Sequence, residues 1–278
     1  MQFEIAHMVR LIPLIVALIA LLPVAVTAAR IPRPAHTIVI IEENKTFAQI
    51  VGNGSAPFIN ALAKRGALFT NAHGVTHPSL PNYLALFSGR TNDNGDGCPA
   101  TGISPEAPNL ASELLSKHLT FTGYAEALPA TGSAVCSAGT YARKHAPWVA
   151  FSNVPPVDAK SFVALPAYNL LPTVAFVIPD VDDDMHDGTI AAGDQWLRSH
   201  LASLVAWADS HDSLVVLTWD EGYDAADSIP TMFYGPMVKP GRYAERIDHY
   251  NVLRTLEDAY RLRPTGEAAK VAPVDCWR

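Results

Sequence analysis

Within "VTHPSLPNYLALFSG", Ser79 follows His77 and Pro78 and stands directly ahead of Asn82 and an apolar run. A hydroxyl there reads in two ways. It can cap the helix that carries Tyr83, Leu84, Leu86 and Phe87, or it can be a nucleophile beside an anion held by the helix's free N–H groups. Carboxylates elsewhere supply a reason for the second reading. Three apolar runs end abruptly in acids: "HTIVIIEEN" in Glu42, Glu43 and Asn44, "TVAFVIPD" in Asp180, and "SLVVLTWDEG" in Asp220 and Glu221. Any one of these acids could cap a following helix, but acids gathered together repel one another unless a cation sits among them. Glu43, Asn44, Asp220 and Glu221 offer oxygen only, which suits a hard divalent ion; His186 and His249 add nitrogen and admit zinc or manganese. Such an ion beside Ser79 would lower the pKa of the hydroxyl and neutralise a phosphoryl oxygen.

The elements that must bring these groups together follow from periodicity. Each acid-ending run is short, apolar throughout and rich in β-branched residues, the pattern of a strand buried on both faces. Parallel strands of doubly wound sheets deliver ligand-binding residues at their carboxyl ends. Helices are expected over Pro57 to Lys64, from Ser79, over Asn109 to Lys117, Thr189 to Asp209 and His249 to Tyr260, with shorter strands at Leu68 to Asn71, Thr120 to Glu126 and Thr231 to Tyr234. Gly89 to Pro108 and the stretch through "YARKHAPWVAFSNV" have no periodicity and read as loops. The alternation predicts an α/β domain over residues 30–278, with a central, mostly parallel sheet flanked by helices.

Residues 1–29 read as a secretory signal, with a short basic region ending at Arg10, an apolar run from Leu11 to Val26, and cleavage after Ala28 or Ala29. The apolar run of about 16 residues falls just below a membrane span, so an uncleaved anchor is the alternative. No cysteine follows the run to take a lipid. The net charge of −7 argues against a nucleic-acid partner, while a bound metal would still permit an anionic substrate. Outside the cytosol cysteines pair, and Cys98 with Cys136 is the expected disulfide because both lie in Gly/Pro/Ser-rich loops. Cys276 is then left over; three free thiols are the alternative.

"EEN", "HPSLPNY", "YARKHAPW", "DMHDG" and "TWDEG", in this order, resemble the bacterial phosphoesterase family of secreted acid phosphatases and phospholipases C, within the alkaline phosphatase superfamily. The likeness runs from His36 to Leu262 and is greatest to the smaller members that hydrolyse phosphomonoesters, including mycobacterial phosphoinositide phosphatases. It implies an alkaline phosphatase-like fold, a divalent metal ion (Mg, Ca, Mn or Zn), and a secreted or periplasmic acid phosphatase. By the same resemblance, Glu43, Asn44, Asp220 and Glu221 are metal ligands, Ser79 is the nucleophile and touches the metal, and His145 and His186 line the phosphate pocket. His186 is then the proton donor to the leaving group. Distant superfamily members hold a second metal with a Pro-Asp, a His and a late His, an order matched by Asp180, His186 and His249. Relatives more often carry asparagine in place of Asp180, which leaves that residue between ligand and supporting acid.

The residues themselves leave plainer roles open. His77 shapes the turn before Pro78 or orients a phosphate oxygen, Asn82 packs the first helical turn or donates to phosphate, His145 belongs to a solvated basic loop or to the pocket, and His249 neighbours a helix cap or binds substrate. The expected partner is a phosphate-ester substrate, lipid-linked esters included, with no nucleic acid and no stable membrane insertion after signal cleavage. The alternatives are a phospholipase C-type phosphodiesterase and a non-catalytic exported protein that holds an anion through a cation.

Overall fold

Every residue of Thr37–Glu42 (β1) is buried, which a strand achieves only in the middle of a sheet covered on both faces. The computed structural model describes Met1 and residues 31–278, so the signal expected over residues 1–29 lies outside the described residues. Among the described residues no helix is long and apolar enough to cross a membrane. Ile31–Arg278 forms one compact unit.

The strands that follow β1 are β2 (Ala67–Phe69), β3 (Phe121–Ala125), β4 (Ser137–Ala138), β5 (Tyr141–Ala142), β6 (Ala159–Ser161), β7 (Val174–Ile178), β8 (Leu214–Trp219), β9 (Thr231–Tyr234) and β10 (Gly241–Tyr243). Eight of them make one sheet in the order β10-β2-β9-β8-β1-β7-β3-β6, while β4 and β5 form a separate small hairpin. Only β9 runs antiparallel to its neighbours β8 and β2; the remaining pairs are parallel. The acid-ending runs are thus β1 with β7 and β8 on either side, and all three carboxyl ends meet at one edge. The expected fold class is the observed one.

The helices are α1 (Phe47–Ile50), α2 (Pro57–Arg65), α3 (Ser79–Ser88), α4 (Leu110–Ser116), α5 (Ile190–Ala208) and α6 (His249–Ala259). Helices α2 to α6 fall into two packed groups, α2 with α5 and α3 with α4 and α6. Their ends match the sequence signals: Asn109, Thr189 and Asp248 accept from first-turn N–H groups as N-caps. All ten residues of α3 are buried, and Phe87 ties it to the sheet through Phe121 and Phe176, with ring centroids 5.3 and 5.6 Å away. Gly89 ends α3 at φ 67°, and any side chain there would run into the Thr265 carbonyl. Cys98 and Cys136 form the expected disulfide, joining the Gly89–Pro108 loop to the hairpin segment, and Cys276 is buried and free. Short edge strands β6 and β10 and the turn α1 lack a periodicity of their own and are visible only in the structure.

Candidate active site

Register brings the acids together before any side chain is considered. β1 pairs with β8 so that Glu42 lies opposite Trp219; the next N–H, of Asp220, donates to the Glu42 carbonyl at 3.0 Å, and that of Glu43 to the Asp184 carbonyl at 2.7 Å. Asn44 then leaves the strand at φ 56°, a left-handed conformation that asparagine tolerates, and its N–H donates to Asp220 Oδ1 at 3.0 Å. Strained backbone of this kind persists where surrounding contacts fix it. Met185, at φ 77°, is a second instance and sits between Asp184 and His186.

Glu43 is the hub. It is fully buried, and it accepts from Ser79 Oγ at 3.0 Å and from the Tyr83 hydroxyl at 2.6 Å. Ser79 is the first residue of α3, Pro78 occupies the cap position, and no side-chain cap bond is made. The cap reading of Ser79 therefore fails, because its hydroxyl is turned to a carboxylate on the neighbouring strand. Around this pair Asn44 Oδ1 and Asp220 Oδ2 are buried acceptors without any donor. Burial, then Asp184 for Glu43 and Glu43 itself for Asp220, pushes both carboxyls well above their ordinary range. Buried acceptors without donors, set among carboxyls that raise one another, have the character of an oxygen-donor cradle for a hard cation.

Two flanks border the hub. On one, His145 is buried and stacked on Tyr83, centroids 5.2 Å apart. Its Nε2 lies 3.0 Å from Glu43 Oε1 and its Nδ1 2.9 Å from Asp184 Oδ2. Burial, with Lys144 and His186 adding to it, holds the ring well below the usual histidine range, while burial pushes Asp184 up to about 8. His186, partly exposed, bonds Asp187 through Nδ1 at 2.7 Å and accepts from Lys144 Nζ at 3.2 Å. Glu43, His145 and His186 bring ligand atoms within 4.8 Å of one another. On the other flank Glu221 Oε2 faces His77 Nδ1 at 2.7 Å and Oε1 accepts from the Tyr223 hydroxyl at 3.1 Å. Oε2 also accepts from Asn82 Nδ2 at 3.4 Å, while Oε1 keeps a further lone pair for a cation.

Some expected site residues land elsewhere. Asp180 Oδ1 accepts from Asp182 and Asp183 N–H groups and Oδ2 from Thr140, so it shapes its own turn; its ligand atoms group with Glu126 and Asp183, apart from Glu43. His249 is buried and donates from Nε2 to the Asp220 carbonyl at 2.6 Å, which positions that strand end, while its Nδ1 has no hydrogen-bond partner. His77 turns both nitrogens to carboxylates, the second being Asp227 at 3.7 Å, in place of a phosphate oxygen. Asn82 braces the turn and touches the site: Oδ1 accepts from Val75 and Thr76 N–H groups, and Nδ2 donates to the Thr76 carbonyl and, at 3.4 Å, to Glu221 Oε2. The α3 N-terminus also has little to offer an anion, since Leu80 N–H goes to Asp96 Oδ1 at 2.9 Å and Pro81 has none.

Four participants carried no sequence signal strong enough to single them out for the site. Asp184 is one acid in a run of three, Tyr83 reads as packing, Lys45 donates to the Met185 carbonyl at 2.6 Å, and Asp96 joins Leu80 N–H to Lys144 Nζ, 2.9 Å away.

The comparisons with known proteins agree with this geometry. Residues 53–263 match the phosphoesterase family. The chain is 53% identical over 260 residues to a phosphatidylinositol-3-phosphatase of Mycobacterium tuberculosis, covering 91% of this chain and 86% of that one. It is 30% identical over 231 residues to an acid phosphatase of Aspergillus fumigatus, covering 74% of this chain and about half (51%) of that one. Among solved structures, the phosphonate monoester hydrolase SpPMH from Silicibacter pomeroyi superposes with a TM-score of 0.60 at 14% identity, over 88% of this chain and 78% of that one. A protein in the alkaline phosphatase superfamily from Vibrio parahaemolyticus does so at 0.57 and 11%, over 82% and 66%. With the family match over most of the chain, the 53% identity to a named phosphatase and the superposition on solved structures, the chain belongs to the phosphoesterase family and is a phosphatase built on the alkaline phosphatase fold.

Proposed function

We propose that this phosphatase is an exported, metal-dependent hydrolase of phosphate monoesters that works through Ser79, with lipid-linked phosphoinositide-type esters among its substrates. The observation that carries the reading is the Ser79 hydroxyl bonded to Glu43 beside two buried, donorless acceptors, Asn44 Oδ1 and Asp220 Oδ2. A divalent ion held by Glu43, Asn44, Asp220 and Glu221 would supply the charge that neutralises a phosphoryl oxygen and favours the alkoxide of Ser79.

The chain's own groups do the rest. Ser79 Oγ passes its proton to Glu43 Oε2, which it already faces and which Tyr83 holds through Oε1, and attacks phosphorus in line as the bond from phosphorus to the ester's alcohol breaks. Lys144 places its positive charge against the equatorial oxygens, and Asp96 keeps its ammonium in place. His186, braced by Asp187, protonates the departing alkoxide. Water then attacks the phosphoserine, the same imidazole accepts its proton, and the bond from phosphorus to Ser79 Oγ breaks as the hydroxyl takes its proton back from Glu43. The relative's name, phosphatidylinositol-3-phosphatase, supports a phosphoinositide among the substrates, and the leader-like sequence supports export.

Incubating the purified chain with p-nitrophenyl phosphate and with its bis ester, before and after exhaustive chelation, tests this. Hydrolysis of the monoester alone, abolished by chelator and restored by a divalent ion, is the expected result. Preferential cleavage of the bis ester would make the protein a phosphodiesterase. Binding without turnover would make it an anion-binding protein, and full activity after chelation would remove the metal.

A further inference from the structure

We propose that Glu42, Glu126 and Asp183, with Asp180 beside them, form a second cation site on the α5 face of the sheet, one that takes a hard divalent ion of the calcium class and clamps the turn carrying Asp184. The site lies on the face opposite Ser79 and does not depend on the phosphatase mechanism above.

The face follows from strand alternation. Along β1, Thr37 meets the Tyr260 hydroxyl of α6 and Glu43 meets Ser79 of α3, so Glu42, of opposite parity, points to the side covered by α5. Along β3, Phe121 packs on Phe87 of α3 and Gly123 abuts Trp148. Glu126 continues that strand, its N–H donating to the Ile178 carbonyl at 2.9 Å, and turns to the α5 side as well. Register sets the two glutamates in one row: Ile40 pairs with Val177 and Val177 with Tyr124, and Glu42 and Glu126 each stand two residues further on. The Asp180–Asp184 turn follows β7, the strand between them. Its Asp183 sits against the first turn of α5, where a side chain at Gly193 would press on the Asp183 carbonyl.

Acids at a surface are ordinarily solvated and need no ion. Glu42 is not solvated: it is completely buried, and neither of its oxygens has a hydrogen-bond partner. The charges acting on it most strongly are those of Asp184, Asp183, Asp194 and Glu126, all acids. Lys45 also feels its field but donates to the Met185 carbonyl. Asp194 is committed, since its oxygens accept from the Phe58 and Ile59 N–H groups. Glu126 gives only Oε2 to the Asp180 N–H, and among the described residues no protein donor meets its other oxygen or either oxygen of Asp183. Burial, then Glu126 and Asp180, pushes Asp183 up to about 6, as carboxyls do when they face one another without a cation.

The donor set names the ion. Oxygens of Glu126, Asp180 and Asp183 come within 4.8 Å of one another, the span of two calcium–oxygen bonds of about 2.4 Å each. Every donor is a carboxylate, which suits a hard ion that accepts an irregular shell. No histidine takes part: His249 stands on α6, across the sheet, so this is not the second metal of distant superfamily members. The Asp180 carbonyl accepts from the N–H groups of Asp183 and Asp184 at 3.0 and 2.7 Å, and Asp184 then meets His145 Nδ1 at 2.9 Å. An ion joining Asp180 to Asp183 therefore fixes the turn from which Asp184 reaches His145, and it touches no substrate.

The experiment counts calcium. After exhaustive chelation, chains are dialysed to equilibrium against calcium chloride: wild type, Asp183→Asn and Glu42→Gln, then the same two changes on a Glu43→Gln/Asp220→Asn background that removes the cradle beside Ser79. The background is expected to keep one calcium per chain and to melt about 5–10 °C higher at calcium a hundredfold above its Kd. Asp183→Asn is expected to remove both the ion and the shift, and Glu42→Gln to weaken binding at least about tenfold. A background that binds no calcium overturns the site, and so does full affinity retained in either variant. If the background does not fold, the wild-type comparison decides: Asp183→Asn must lower the count by one ion per chain, and an unchanged count overturns the site.

Discussion

Ser79→Ala separates chemistry from architecture by magnitude. In the structure the hydroxyl makes one hydrogen bond, to Glu43 Oε2 at 3.0 Å, and caps nothing. Deleting it leaves Glu43 its bond from Tyr83 at 2.6 Å, so the stability cost is that of one hydrogen bond, about 1 kcal/mol. For a domain of this size that is a fall in Tm of about 2–4 °C. The kinetic cost is of another order, since no other hydroxyl can form the covalent intermediate: a loss of at least about 10⁴ in kcat is expected. Thr76, the nearest alternative in sequence, is half-buried, and its hydroxyl turns to the His77 carbonyl at 3.4 Å. Thermal melts and steady-state rates on p-nitrophenyl phosphate give the two magnitudes, and acid quench with labelled ester followed by peptide mapping locates the phosphoryl group. A variant with the small Tm change and a rate within about tenfold of wild type would refute the nucleophile assignment, a factor worth only about 1.4 kcal/mol of barrier. Label on Thr76 or on a histidine would refute it differently, by moving the covalent step to another residue.

Asp184→Asn should lower kcat roughly tenfold to a hundredfold with little change in KM, because the carboxylate facing His145 Nδ1 at 2.9 Å sets the orientation of a ring that Glu43 shares; an unchanged kcat would show that Tyr83 stacking alone suffices. Away from the site, burial pushes Glu257 up to about 7, with bonds from Thr265 N–H and Oγ1 opposing the shift. A carboxyl raised in the fold stays neutral there while the unfolded chain ionises, so its stabilising effect is complete below its unfolded pKa of about 4.5 and is lost as pH rises to about 7. The loss amounts to about 3 kcal/mol at most. Chemical denaturation at pH 5 and pH 8 should show wild type weakening over this interval and Glu257→Gln weakening less; equal slopes would place the titration elsewhere.

The legible and illegible parts of this molecule divide along a physical line. β1, β7 and β8 announce themselves because strands buried on both faces are apolar throughout, so the acids that end them mark where the strand leaves the core. Helix ends are legible for a similar reason, since Asn109, Thr189 and Asp248 are cap chemistry written locally. Side-chain direction within a turn is not local. "DVDDD" offers four acids, and only the folding of the turn back on the Asp180 carbonyl, which accepts from both Asp183 and Asp184, sends Asp184 inward to His145 and leaves Asp180 to bind its own backbone.

The same limit explains the histidines. Nearness to Ser79 marked His77, and the family resemblance marked His145, His186 and His249, but what each ring nitrogen meets depends on a residue distant in sequence: Glu221 for His77, Asp184 for His145, Lys144 for His186 and the Asp220 carbonyl for His249. A ring whose nitrogens are both committed to carboxylates or carbonyls is a support, and only a ring with a nitrogen near solvent can exchange a proton with substrate. His249 and His145 are buried and His77 Nδ1 is taken by Glu221, so the proton transfer proposed above falls to His186, which is partly exposed. His186 is the one whose Nε2 meets another cationic side chain, Lys144, at 3.2 Å, an arrangement that holds only while that nitrogen is unprotonated and free to accept. A substrate phosphate entering beside Lys144 would draw the ammonium away from the ring and leave Nε2 free to take up a proton and deliver it to the leaving oxygen.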